Sequence, residues 1–350
     1  MNTILKLFTA LVLAPLGFLS ADSCKPDPCC LADNNVYLTL PDTVFNGYYR
    51  ALLLQPTSSS LCYAVEIDAI SPESPSWKVH DVHTQCNYAS ELGLGFIFCE
   101  RNAKLKVNWL HLTSQDKNSI KDIAPDVVGP FFDVDPTDTP FTNARGRAKF
   151  TFDSACINYG VLVTFGSYLH THLYGGVAGI KLRQDLSTTF FNDDQTIVRK
   201  IKTPSRFWGV GPQLGMECCY TICGGFQVVG EGAASLLVGG LTNHTKYQAF
   251  SPDLVTAPNL QSISTPQRTG VVPAFEGRLG LNYSWMVRGC YNVNIEGGYK
   301  ACLYMNAVQS VDIASEVAAA PSTGVYANTF KRTVGNFALA GPYLSINVRY

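Results

Sequence analysis

The chain has 350 residues, a formal net charge of −1 and only 15% charged residues, well under the ~25% of an average soluble domain. That balance excludes a basic nucleic-acid surface or an acidic tail as the organising feature. Past the N-terminus no run of 18 apolar residues occurs. A bundle of membrane helices is therefore excluded, while a membrane-crossing barrel stays open.

In chain order, Lys6 followed by the apolar stretch 7–19 and small Ser20-Ala21 reads as a secretory signal over 1–21. Residues 22–33, with Cys24, Cys29 and Cys30, form a cysteine-rich segment expected in the periplasm, and 34–350 is expected to be one barrel. A first strand is expected near 35–40, and a second from Asn46 running down to a short turn at 55–61. Thereafter period two dominates. Leu92, Leu94, Phe96 and Phe98 alternate with Glu91, Gly93, Gly95 and Ile97; Val107 and Trp109 alternate with Lys104, Lys106 and Asn108. Ala148, Phe150 and Phe152 alternate with Arg147, Lys149 and Asp153, and Trp208, Val210, Leu214 and Met216 with Gln213 and Glu217. The pattern is clearest over 275–287 and 291–305, where Phe275, Leu279, Leu281, Tyr283, Tyr299 and Leu303 alternate with Glu276, Arg278, Asn282, Glu296 and Lys300. Successive strand residues point to opposite faces, so each segment has one apolar and one polar wall.

The gaps alternate in length. Short ones fall at 55–61, 99–102, 165–167, 222–224 and 288–290, and long polar ones at 71–87, 114–144, 185–205, 240–270 and 309–334. Short periplasmic turns and long extracellular loops mark an outer-membrane barrel. The fold class expected is all-β: an antiparallel, transmembrane up-and-down β-barrel of about 12 strands, range 10–14. The chain closes on Leu344, Ile346, Val348 and Tyr350 facing away from Ser345, Asn347 and Arg349. An amphipathic strand ending on an aromatic residue is expected to engage the barrel assembly machinery.

The segments Tyr48-Tyr49-Arg50-Ala51-Leu52-Leu53-Leu54-Gln55, Gly93-Leu94-Gly95-Phe96, Asn108-Trp109-Leu110-His111-Leu112, Trp208-Gly209-Val210-Gly211-Pro212-Gln213-Leu214-Gly215 and Ala340-Gly341-Pro342-Tyr343-Leu344, in this order, carry a resemblance. From about Asn46 onward the chain resembles the Legionella-type major outer-membrane protein family, pore formers also met in chlamydia-like bacteria. The resemblance implies an outer-membrane porin. The dense cysteines depart from the family's pattern.

Twelve cysteines in an exported chain read first as disulfides. Cys62, Cys99, Cys223 and Cys290 are expected beside short periplasmic turns, with Cys218 and Cys219 slightly deeper. With Cys24, Cys29 and Cys30 they form a rim that would cross-link the barrel to copies of itself or to cysteine-rich periplasmic proteins. Neither cysteine cluster has the paired spacing of a zinc site, and no cofactor, metal or nucleic-acid partner is called for.

Alternation nominates Lys104, Lys106, Arg147, Lys149, Asp153, Glu217, Glu276, Arg278, Glu296, Lys300 and Arg349 as pore-lining, with 114–144 as the longest candidate for an inward plug. Both signs of charge are present, so ion selectivity should be weak. No serine-hydrolase elbow, zinc-protease helix or phosphate loop appears, and no catalytic residue is nominated. The function expected is diffusion of ions and small solutes across an outer membrane of Gram-negative type. The alternative is a structural or adhesive barrel with a closed lumen.

Overall fold

The computed structural model describes residues 43–67, 77–98, 101–121, 127–129, 142–191, 197–249, 259–287, 291–315 and 327–349. The signal stretch, the segment 22–33, the candidate strand 35–40, and Cys99 and Cys290 lie outside these residues. Among the described residues every extended regular element is a strand. From the N-terminal side come β1 (Thr43–Ser58), the short β2 (Cys62–Ile67) and β3 (Trp77–Asp81), then β4 (Asn87–Phe98), β5 (Ala103–Lys121) and the short β6 (Val127–Gly129). Long staves follow: β7 (Asn143–Phe165), β8 (Leu169–Phe191), β9 (Ile197–Cys223) and β10 (Phe226–Ala249). The chain ends with β11 (Asn259–Ser264), β12 (Arg268–Val287), β13 (Tyr291–Ser315) and β14 (Ala327–Arg349).

Eleven of these form one antiparallel sheet, and the extra pairing of β10 with β9 closes it into a cylinder. β11 and β12 both pair with β10, against 244–249 and 226–241 respectively. They are thus one stave interrupted at 265–267. Among the described residues the ring has ten staves: β1, β4, β5, β7, β8, β9, β10, the β11–β12 stave, β13 and β14. This lies within the range of 10–14. Tight connections join β4 to β5, β7 to β8, β9 to β10 and β12 to β13, all at the end where Asn46 meets Arg349. That end is the periplasmic one by the loop-length rule. At the β9–β10 turn, Gly224 and Gly225 have φ of 56° and 83°, the left-handed pair that a two-residue type I′ hairpin requires.

The wall is inverted relative to a soluble protein. Leu92, Leu94, Trp109, Ile157, Val210, Leu214, Leu279 and Leu281 lie 45–70% exposed on the outside, while Arg50, Glu91, Lys106, Arg278 and Lys300 are buried inside. On β9 the outward band runs from Trp208 to Tyr220; at ~3.3 Å per residue and a tilt of ~45° it stands about 28 Å tall, the thickness of a hydrocarbon core. β9 itself has 27 residues, so the staves continue well above the membrane.

One expected connection is corrected. Residues 55–61 form no periplasmic turn: β1 runs antiparallel to β14 from Asn46 opposite Arg349 to Ser58 opposite Phe337, and so climbs away from the periplasm. Pro56 and the serines after it imitate a turn. They are accommodated because β1 pairs with β4 only as far as Leu54, leaving an open edge where a missing N–H is tolerated. Cys62 therefore stands at the extracellular end, not at the periplasmic rim.

The connection after β1 folds inward. Leu61, Tyr63, Ala64 and Val82 are buried in one apolar cluster with Leu52, Leu112, Phe150, Phe152, Leu182, Phe207, Phe337 and Tyr304 from the wall. Polar ties fix this plug. Gln184 Nε2 donates to Ser60 O at 3.0 Å, Gln55 Nε2 to Thr84 O at 2.6 Å, and His83 N to Asn118 Oδ1 at 3.1 Å. Gly146 makes the notch for Tyr63, since a Cβ there would fall 2.4 Å from the ring. The described inward element is thus 61–67 with 77–82, and β6, which belongs to the stretch 114–144, adds a strand to β2. Most of the described part of 114–144 continues the wall as β5 and β7.

Phe152 is fully buried between Tyr304 and Phe337, with ring centroids at 5.3 and 5.6 Å. Phe152→Ala is expected to destabilise the barrel by about 3–5 kcal/mol, read as a lower midpoint for loss of the folded band on heating in detergent.

Candidate functional site

Below the plug, seven staves contribute charged side chains to one layer across the lumen. Glu91 on β4 accepts from Arg50 Nη1 at 2.8 Å, Lys300 Nζ at 2.9 Å and the Tyr48 hydroxyl at 2.9 Å. Arg278 on β12 reaches Glu217 at 2.9 Å, Glu231 at 2.8 Å, and also Glu296. Lys106 meets Glu231 at 3.1 Å, and Lys104 meets Glu217 at 3.1 Å. The bars cross the lumen: Lys106 on β5 and Glu231 on β10 belong to nearly opposite walls of the ring. Tyrosines close the remaining gaps. Tyr174 donates to Glu231 and Tyr304 to Glu276, each at 3.1 Å, and Tyr343 donates to Glu296. Arg50 and Lys300 balance Glu91 and Glu276, while Arg278, Lys104 and Lys106 balance Glu217, Glu231 and Glu296. A neutral, cross-braced layer is what opposed charges form when a lumen is narrow enough for them to meet.

Little room is left. A cavity of about 20 Å³ lies among Glu91, Lys106, Tyr174, Glu231 and Lys300, and one of about 30 Å³ beside Tyr48, Arg50 and Lys104. Nearer the periplasm a cavity of about 80 Å³ is lined by His170, His172, Gln227, Asn282, Asn294 and Asn347. The smaller two hold roughly one water each and the third several. In this lower section Asn46 Oδ1, Asn282 Oδ1, His170 Nε2 and His172 Nε2 are buried without a hydrogen-bond partner among the described residues, while His172 Nδ1 lies 3.8 Å from Glu217. Buried polar groups take partners, so this section of the lumen is built for water.

Of the nominated residues, Lys104, Lys106, Glu217, Glu276, Arg278, Glu296 and Lys300 come together in the charged layer. Arg349 lines the lower cavity. Arg147, Lys149 and Asp153 are corrected: they face outward on β7, because Ala148, Phe150 and Phe152 are the residues filling the lumen at that height. The period was legible there and the facing was reversed. Above the membrane the inside is the drier environment, so apolar side chains turn in and charged ones turn out. Sequence reasoning missed Arg50, Glu91 and Glu231. Glu91 carried a signal as the polar partner of Leu92, whereas Arg50 sits among apolar neighbours on both sides and Glu231 in a run of Gly and Ala.

Cys223 ends β9 beside the β9–β10 turn, and Cys218 and Cys219 lie deeper along the strand, with Cys219 buried inside the barrel rather than on a cross-linking rim. Cys156 and Cys302 are buried thiols in the lumen, Cys156 donating to Asn108 Oδ1 at 2.7 Å. Outside the membrane, Glu66 on β2 lies 2.7 Å from His80 and 3.4 Å from Lys78 on β3. The hydrogen bond from His80, then the lysine, holds its carboxyl below the usual range.

An inverted cylinder with an apolar outer band and a polar interior defines an integral outer-membrane β-barrel. Its sequence matches the family described as the Legionella pneumophila major outer membrane protein precursor over residues 41–350, and the chain belongs to that family. It is thus a protein of the outer membrane. No curated protein matches the chain. Among solved structures it is similar to the outer membrane protease OmpT from Escherichia coli, with 10% identity, 89% of this chain and 97% of that chain covered, and a TM-score of 0.42. It is similar also to the toluene transporter TodX of P. putida, with 7% identity, 89% and 90% covered, and a TM-score of 0.29. A Pseudomonas aeruginosa FadL homologue follows, with 6% identity, 89% and 90% covered, and a TM-score of 0.25. Likenesses this distant say nothing of activity.

Proposed function

We propose that this protein is a narrow, gated outer-membrane porin for ions and small solutes, held shut by the cross-braced layer and the plug above it. The observation that carries this reading is the layer itself. Apolar packing fills the upper lumen, so the scaffold has no need of ion pairs to fill the rest. A buried ion-pair network stabilises less than well-packed apolar groups would, and its retention, above a section lined for water, fits a path for charge. Equal numbers of both signs in the charged layer imply weak ion selectivity. Cross-linking through Cys218 near the rim would tie the barrel to neighbours, and non-reducing gels of isolated envelopes showing only monomer would remove that part.

No catalytic role belongs to this reading. His111 and Asp153 are 2.7 Å apart on the outer wall, with the Thr113 hydroxyl 3.4 Å from the imidazole. Yet they sit in regular ladder positions of β5 and β7, where backbone N–H groups are taken up by the sheet and none is aimed at an oxyanion.

Planar-bilayer recording of the refolded protein tests the proposal. Brief, infrequent steps that scale with salt are expected, with a reversal potential near zero in a salt gradient. Folded, inserted protein that stays silent at all voltages would favour the closed structural or adhesive barrel.

A further inference from the structure

The outer wall carries a second charged feature, and it faces away from the lumen. Just above the band that ends at Trp208, the outward positions of β7, β8, β9 and β10 are dominated by cations: Arg147, Lys149, Arg183, Lys202, Arg206 and Lys246. They border an external groove of about 700 Å³, within the ~300–1,000 Å³ of ordinary ligand clefts. The cross-strand register sets like charges directly opposite one another: Arg183 faces Arg206, Lys202 faces Lys246, and Arg147 faces Lys117 on β5. Like charges opposed at ~5 Å destabilise a sheet. Asp185 pairs with Arg183 at 2.7 Å and stands opposite Lys149 in the register of β7 and β8, so one carboxylate serves the whole group. Lys149, Lys202, Arg206 and Lys246 make no ion pair among the described residues. In a chain whose net charge is −1, this is a local concentration, and it is one-sided. The upper outward positions of β1, Gln55 and Thr57, and their β14 partners Ala340 and Ala338, are uncharged.

Height identifies what neutralises it. Arg206 stands two residues above Trp208, about 5 Å above the aromatic level at the wall's tilt, and Lys202 about 14 Å above it. This is the depth of lipid headgroups. Directly beneath, Trp208, Val210 and Val177 present exposed apolar surface continuous with the hydrocarbon band. We propose that this face of the barrel is a binding site for a multiply phosphorylated lipid of the outer leaflet. Its phosphates sit among Lys149, Arg183, Arg206 and Lys202, and its acyl chains lie along Trp208, Val210 and Val177. Guanidinium groups grip phosphate through paired N–H donors, and each basic residue near a charged lipid surface adds about 1 kcal/mol. The inference stands apart from the pore reading, since no lumen residue takes part.

The test uses the full barrel refolded in neutral detergent, beside a Lys149→Gln, Arg183→Gln, Arg206→Gln, Lys202→Gln variant. Native mass spectrometry would follow titration with bis-phosphorylated lipid A, its dephosphorylated form, and heparin as a soluble polyanion. One bis-phosphorylated lipid held per wild-type barrel is expected. Affinity should fall about tenfold or more both in the variant and for the dephosphorylated lipid, with the heat-shifted gel band of the folded variant retained. Equal retention of the lipid by wild type and variant, or indifference to the phosphates, would overturn the proposal. Heparin bound in preference to the lipid would also overturn it, pointing to a soluble polyanion instead.

Discussion

Replacing Arg278 by methionine is expected to open the lumen. The guanidinium is the shared partner of Glu217, Glu231 and Glu296, and without it three carboxylates face one another, with Lys104 and Lys106 left as their paired cations. Removing one partner from a buried ion network destabilises by about 3–5 kcal/mol, because the charges left behind are uncompensated. A barrel wall of continuous hydrogen-bonded staves does not collapse to relieve them, so water is drawn in to solvate the carboxylates. Single-channel recording of Arg278→Met should therefore show steps that are larger and more frequent than wild type. The reversal potential should shift towards cations, since the constriction now carries excess negative charge. The reciprocal Glu91→Gln removes the carboxylate shared by Arg50 and Lys300, leaving Lys300 only the more distant Glu276, and should shift selectivity towards anions. If both variants fold and neither conducts, the porin reading fails and the closed barrel stands.

The second large effect concerns the plug. Replacing residues 61–82 by a short Gly-Ser linker removes Leu61, Tyr63, Ala64 and Val82 from the apolar cluster. Water then has access from the extracellular side to the upper face of the charged layer. Cys156 and Cys302, buried in the lumen at 7% and 4% exposure, report this directly. Their labelling by a membrane-impermeant thiol reagent, read peptide by peptide, should rise on the order of 10²-fold as protection by local packing is lost. Unchanged labelling would mean that the wall residues alone seal the upper lumen. Acid should loosen the plug by the same route. The lowered carboxyl of Glu66 stabilises the β2–β3 pairing above its unfolded value of about 4.3; that contribution is lost as pH falls through the folded value. Thiol labelling of wild type should accordingly rise in the most acidic range.

What the sequence by itself determined is the period and hence the class. Leu279 and Leu281 against Arg278 and Asn282, or Val210 and Leu214 against Gln213, obey a two-residue repeat. Within the membrane only one assignment of faces is allowed, because the outside must be apolar. That is why seven of the nominated charges were found together in the lumen. Where the staves rise above the membrane the rule loses its force. Arg147 and Lys149 face out although they obey the same period, because Phe150 and Phe152 have a plug to pack against. The plug itself depends on contacts between residues far apart in the chain, such as Tyr63 on Gly146 and Gln184 on Ser60, and no local pattern encodes these. The same holds for the bars across the lumen. Alternation shows that Lys106 and Glu231 each point inward. Only the closure of β9 on β10 decides that they meet, and whether they meet depends on the ring's circumference, a property of the whole sheet and of no single strand.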